Sequence, residues 1–218
     1  MNPPPSFDRL ARLYRWMELL SFGPWLMRCR VAFLPAIAAH GSAMGRALVL
    51  GDGDGRFTAR LLRACPGIEI DAVDASPAML AELLRRAGRH ASRVHPHAAD
   101  ARSFAPPHPP YQIIASHFFL DCLTTAEVAD LARRLSAVAA PDAVWVVSEF
   151  AIPPGIYGRW IARPLVWMLY RAFGQMTGLS LRALPDHAAA LAESGFRLSV
   201  RRAWLGGLLA SELWRRVF

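Results

Sequence analysis

From residue 46 onward the apolar positions alternate between two spacings. Short, nearly unbroken runs ("RALVL" 46–50, "IEIDAVD" 68–74, "YQIIASHFF" 111–119 and "AVWVVSEF" 143–150) have the pattern of strands buried on both faces. Between them the spacing is helical. Phe57, Leu61 and Leu62 recur on one side after the first run. In "SPAMLAELLRRAG", Ser76 stands as N-cap, Pro77 at the first helical position and Gly88 as the stop. In "TTAEVADLARRLSAVAA", Thr124 and Glu127 are spaced as a capping box, and Val128, Leu131, Leu135 and Val138 form one apolar face. A last helix, "PDHAAALAESG", stops at Gly195. "FRLSVRRAW" and "LLASELWRR" then flank Gly206-Gly207 as an antiparallel hairpin.

Strands alternating with helices predict a parallel sheet covered on both faces. With a further strand before "AADAR" (98–102) and the closing hairpin, the expectation is α/β: a doubly wound, mostly parallel, seven-stranded Rossmann-like sheet ending in an antiparallel hairpin. It forms a single domain over 1–218. Residues 7–40 are read as an amino-terminal helical cap, 41–150 as the core, 151–185 as an apolar lid insertion, and 186–218 as the closing helix and hairpin.

Composition narrows the class. Hydrophobic residues make up 54% of the 218 and charged residues 19%, a globular rather than disordered balance. The cysteines Cys29, Cys65 and Cys122 form no CxxC pair, which suits free thiols in a reducing cytoplasm. No signal peptide is read at the start, and the expected location is cytoplasmic. The stretches 22–39 and 160–173 are interrupted by arginine or proline and fall short of the ~20 apolar residues of a membrane span. Net charge is +8, and every one of the 25 basic residues is arginine. These are scattered singly or in doublets, and no platform of aromatic and basic residues marks a nucleic-acid partner.

"ALVLGDGDGRF" (47–57) is the densest chemical signal. Three glycines in five positions follow the first strand, where a ligand meets the carboxyl edge of a doubly wound sheet. Glycine there permits positive φ and a close approach to the backbone; a tight strand-to-helix turn is the other reading. Asp74 ends the second strand nineteen residues beyond Gly55, where a carboxylate can accept from both ribose hydroxyls. Asp100 lies in the loop after the third strand, within reach of an adenine amino group. Alternatively, Asp74 caps a helix and Asp100 is a solvated loop acid. The dinucleotide fingerprint fails, because Arg56 occupies its sixth position, and no GK[ST] follows to make a P-loop.

The GxGxG spacing resembles the first motif of class I S-adenosylmethionine-dependent methyltransferases. "IDAVDASPAML", "YQIIASHFFLDCL" and "LSAVAAPDAVWVVSEF" resemble later segments of that superfamily, so the likeness runs from the glycine loop to the hairpin. "FDRLARLY" (7–14) is similar to the helix before the core in small-molecule enzymes of the ubiquinone/menaquinone C-methylating type. The resemblance implies S-adenosylmethionine as cofactor, held by Tyr14, Gly51, Asp52, Gly53, Asp74, Ala75, Asp100, Ala101 and Ser116. Two positions depart from the pattern: Arg15 follows the tyrosine, and Val49 stands where an acid often precedes the first glycine. Asp52 and Asp54 then either meet the cofactor's ammonium or cap the following helix.

A general base is needed only if the acceptor arrives protonated, as a phenol or enol. His117, at the carboxyl end of a central strand, is the first candidate, ahead of Asp121 and His187. His95 and His97 form an HxH without a third ligand, so no metal is expected. "SHFF" replaces the NPPY-type segment of methyltransferases acting on planar nitrogens. The aromatic and aliphatic residues Trp16, Phe22, Trp25, Trp160, Leu165, Trp167, Met168, Tyr170, Phe173 and Met176 lie in the two outer segments. They point to a small apolar or aromatic acceptor, methylated at oxygen or carbon, with Arg159, Arg163 and Arg171 able to meet an anionic group or a membrane surface. The competing readings are a non-catalytic methyltransferase-fold binding protein and an aminopropyltransferase.

Overall fold

The computed structural model describes residues 22, 24–40, 45–177 and 184–217, without the side chains of residues 40 and 172–177. Tyr14, Trp16 and most of the expected amino-terminal cap lie outside these residues, as do the side chains of Phe173 and Met176. The chain enters through α1 (Pro24–Val31) and α2 (Leu34–His40) and continues into β1 (Arg46–Leu50), α3 (Arg56–Ala64), β2 (Glu69–Asp74), α4 (Pro77–Ala87) and β3 (Val94–Ala98). Then come β4 (Tyr111–His117), a 3₁₀ turn (Leu120–Cys122), α5 (Thr125–Val138) and β5 (Ala139–Phe150). A helical turn (Gly155–Tyr157) and a π-helical stretch (Gly158–Ala162) lead into α6 (Arg163–Thr177), followed by α7 (His187–Glu193), β6 (Phe196–Trp204) and β7 (Leu209–Arg216).

The seven strands form one sheet in the order β3-β2-β1-β4-β5-β7-β6. β1 to β5 pair in parallel, and β7 runs antiparallel to both β5 and β6. The order reverses between β1 and β4, so the topological switch point, where ligands of such sheets bind, lies beyond their carboxyl ends, at Leu50 and His117.

Local signals set the element ends. Ser76 Oγ accepts from the Met79 N–H at 3.3 Å at the start of α4. Thr124 and Glu127 close both halves of a capping box before α5. The sheet faces separate into two cores. One holds Leu48, Ile114, Trp145, Val147 and the apolar face of α5. The other holds Val49, Ile70, Ala115 and Val146 with Phe57, Leu61 and Leu62 of α3.

β5 begins at Ala139, four residues before the expected run. The extra residues carry the exposed Pro141 and Asp142 across a register shift opposite Tyr111 and Ile113. β3 contains Pro96, which an edge strand tolerates because one side of it makes no ladder.

Candidate active site

Gly51, Gly53 and Gly55 all adopt positive φ (+60°, +58° and +78°), but for different reasons. A Cβ on Gly55 would come within 2.7 Å of the Leu83 Cα, so this glycine lets the loop pack on α4. A Cβ on Gly51 would strike the Phe119 ring at 2.5 Å. At Gly53 the nearest atom would be Met79 Sδ at 4.0 Å, which leaves the backbone open to a ligand.

The acidic spacers turn away from that opening. Asp52 is buried, and its carboxylate accepts from the Phe57 N–H at 3.3 Å and the Thr58 N–H at 2.8 Å, capping α3. Burial raises its pKa, against those hydrogen bonds and the nearby Arg30. Asp54 pairs with Arg86 at 2.9 Å and Arg56 at 3.1 Å. The helix-capping alternative therefore holds for Asp52, and neither carboxylate is free for a cofactor ammonium.

Asp74 stands beside Gly53 at the end of β2. Its Oδ1 accepts from the Ser76 N–H at 2.9 Å, and its carboxylate also accepts from the Gly53 N–H. Burial raises its pKa, with both hydrogen bonds opposing. Asp74 thus fixes the glycine loop against the turn that carries Ala75, and it remains half-buried rather than sealed. Next to this turn, the Ala99 N–H donates to the Asp74 carbonyl at 3.1 Å. Asp100 follows, gripped by the Arg102 guanidinium at 2.6–3.0 Å, which also reaches Glu127 at 3.2 Å. An adenine amino group would have to share that carboxylate with the guanidinium. Ala101 is buried against the core.

At β4 two expectations need correction. The Ser116 side chain faces inward, its Oγ accepting from Trp145 Nε1 at 3.0 Å, so its hydroxyl is taken up in the core. His117 is 2% exposed, with Nδ1 2.9 Å from Ser148 Oγ and its ring edge-on to Phe57 at 4.3 Å. Burial and, secondarily, the Arg30 charge push its pKa down to about 3. An imidazole buried on the α1/α3 side of the sheet with that pKa is unsuited to take a proton from an acceptor in the crevice. His187 is likewise occupied, 3.1 Å from Glu212.

The titratable groups near the switch point lie just after β4 and at the end of β5. Phe118 takes a positive φ of 55°, turning the chain so that the next ring, Phe119, packs over Gly51. Glu149 Oε1 accepts from the Phe119 N–H at 3.2 Å and the Leu120 N–H at 2.9 Å, pinning this turn to β5. Asp121 follows in the 3₁₀ turn, and the Tyr170 hydroxyl of α6 donates to its Oδ2 at 2.9 Å. Burial pushes both carboxyls up, and the charge of Asp121 raises Glu149 further. Glu149 was not anticipated; its signal was an acid interrupting the apolar run of β5. Among the described residues no cluster of His, Cys, Asp and Glu is arranged to hold a metal, and His95 and His97 pair with Glu69 and Asp71 instead.

Residues 47–142, from the glycine loop through α5, match the methyltransferase domain family. That match takes in the glycine loop, Asp74 and the turn after β4. Solved structures of methyltransferases share the fold of these residues and of the strands around them. Mitomycin 7-O-methyltransferase is 22% identical with a TM-score of 0.66, over 97% of this chain and 60% of that one. The N-methyltransferase NodS from Bradyrhizobium japonicum, solved with S-adenosylhomocysteine, is 16% identical with a TM-score of 0.65, over 94% of this chain and 98% of that one. A Bordetella parapertussis protein described as a possible exported protein is 21% identical with a TM-score of 0.66, over 86% and 66%. The chain thus spans less than two thirds of some of the structures it matches. No curated protein matches the chain by sequence. No described helix is long and apolar enough to cross a membrane.

Proposed function

We propose that the protein transfers the methyl group of S-adenosylmethionine to a small apolar or aromatic acceptor, at oxygen or carbon. The observation that carries this reading is the bare backbone of Gly53 held beside Asp74 at the switch point, a cradle that a Cβ would begin to fill. Gly51 and Gly53 give close backbone approach, and Asp74 accepts from ribose hydroxyls. Ala75, Asp100 and Ala101 border the adenine end, and the backbones of Asp52 and Ser116 the floor. When bound, the cofactor supplies an electrophilic methyl group on a sulfonium sulfur.

The chain's own contribution is alignment and exclusion of water. Phe119 walls the crevice above Gly51, and α6 closes over the turn after β4 through Tyr170. In place of His117, Asp121 receives the proton of a phenolic or enolic acceptor. Asp121 also suits a protonated amine, so amines belong in the acceptor screen beside phenols and quinols.

Calorimetric titration with S-adenosylhomocysteine tests the cofactor assignment. Micromolar binding is expected, with no binding of NAD. Asp74→Ala should weaken it at least about tenfold by removing charge-assisted hydrogen bonds. No binding by the folded protein would overturn the reading, and binding without turnover of any acceptor would favour a non-catalytic role.

A further inference from the structure

The helical segment from Gly155 to Thr177 is apolar on two opposite sides. Its inner side buries Gly158, Ala162 and Val166, the last two in one cluster with Leu208 and the partly buried Phe150 and Leu205. A Cβ on Gly158 would collide with the Pro153 carbonyl, so the segment packs closely on the turn that precedes it. The outer side exposes large apolar residues: Ile156 is 81% accessible, Trp160 67%, Trp167 58%, and Ile161 and Met168 55% each. A helix covering a core needs one apolar side, and these residues have no such use.

The charge on this segment is of one sign. Residues 151–185 contain four arginines and no aspartate or glutamate. Arg159, Arg163 and Arg171 are exposed on the outer half of the helix among the apolar residues. Arg159 lies 5.4 Å from the Trp160 ring centroid, and Arg171 the same distance from that of Trp167. Tryptophan and arginine side by side on a helical segment interrupted by three arginines suit the level of lipid headgroups, with rings at the acyl boundary and guanidinium groups at phosphate. A second copy of the chain fits less well, because a two-fold contact would set the same uncompensated arginines against one another.

We propose that the outer face of residues 156–171 docks this protein on an anionic phospholipid bilayer, lying in the interface plane. The docking does not depend on the methyl-transfer reading. If both hold, α6, which reaches the active site through Tyr170, places the crevice beside the membrane, where an apolar acceptor would be dissolved.

The test is flotation with vesicles of phosphatidylcholine alone or containing phosphatidylglycerol, with tryptophan emission recorded in parallel. The full chain should float only with the anionic vesicles, shift its emission to the blue, and be released by high salt. The triple variant Arg159→Gln, Arg163→Gln, Arg171→Gln should lose about a hundredfold in partitioning, from three phosphate-facing charges. Trp160→Ser with Trp167→Ser should lose comparably. A control variant with the same charge change elsewhere, Arg63→Gln, Arg89→Gln and Arg197→Gln, should partition like the parent. Circular dichroism and S-adenosylhomocysteine binding verify folding separately, so failure of docking and failure of the cofactor assignment read out differently. Absence of flotation, equal binding to phosphatidylcholine, or equal loss in the control would overturn the proposal. So would a dimer dispersed by the tryptophan substitutions without any lipid binding.

Discussion

His117 is held neutral by burial among Phe57, Ser148 and α1, with the Arg30 charge adding to the effect. The folded protein refuses a proton on this ring until about pH 3, whereas the unfolded chain accepts one near pH 6.5. Between those values the unfolded state binds more protons, so stability should fall as pH is lowered through that window, by several kcal/mol in total. Denaturant titrations from pH 7 to pH 4 check this. His117→Asn, whose amide can keep the Ser148 contact, should give a flatter profile, and the His117 resonance should not titrate between pH 5 and 8. The sequence made the strand-end position of this histidine legible but not its direction. Facing inward rather than toward the crevice depends on Phe57 and Ser148, which come from other elements. The loop glycines and Asp74 were legible because their partners lie in adjacent motifs. Asp52 admitted two roles, and only the positions of the Phe57 and Thr58 amides decide between them.

Between elements, the contact of α6 with the turn after β4 depends on one polar bond in an apolar setting. Removing the Tyr170 hydroxyl leaves Asp121 buried without that donor, at a cost of about 1–3 kcal/mol. Tyr170→Phe should therefore destabilise the protein by that amount in chemical denaturation. It should lower kcat more than it weakens S-adenosylhomocysteine binding, since Asp74 and the glycine loop are untouched. The helices and strands themselves were readable from periodicity and caps: the Ser76 cap, the Thr124–Glu127 box and the Gly206-Gly207 turn stand where the pattern put them. The early start of β5 was hidden because Pro141 and Asp142 look like turn residues. Glu149 was hidden because its partners, Phe119 and Leu120, lie some thirty positions earlier in the chain.

Across the whole molecule, Asp71 joins three parts of the chain. The Tyr111 hydroxyl of β4 donates to it at 2.8 Å, and His97 of β3 and His108 of the intervening loop lie within 2.6 and 3.0 Å. Burial acts to raise its pKa, but these hydrogen bonds outweigh burial and hold the carboxyl below its ordinary value. Its stabilising contribution is present above the unfolded value of about 3.9 and is lost as pH falls through the depressed one. Asp71→Asn should cost about 1–3 kcal/mol at neutral pH and weaken the acid-induced loss of stability below pH 4, as followed by circular dichroism. Sheet order was predictable as far as a parallel core with a hairpin at one end. Which hairpin strand joins β5 was not, because both carry apolar residues; the buried pattern of β7 against the exposed one of β6 settles it.

That insertion of β7 between β5 and β6 has a consequence for synthesis. β5 pairs along Val144–Phe150 with a strand that does not exist until residue 216 has been made. While the nascent chain emerges, the parallel core can assemble from β1 to β5, but one edge of it stays unpaired and apolar on both faces. A ribosome that pauses in the hairpin region would hold out an adhesive half-sheet, and β7 is the strand that seals it.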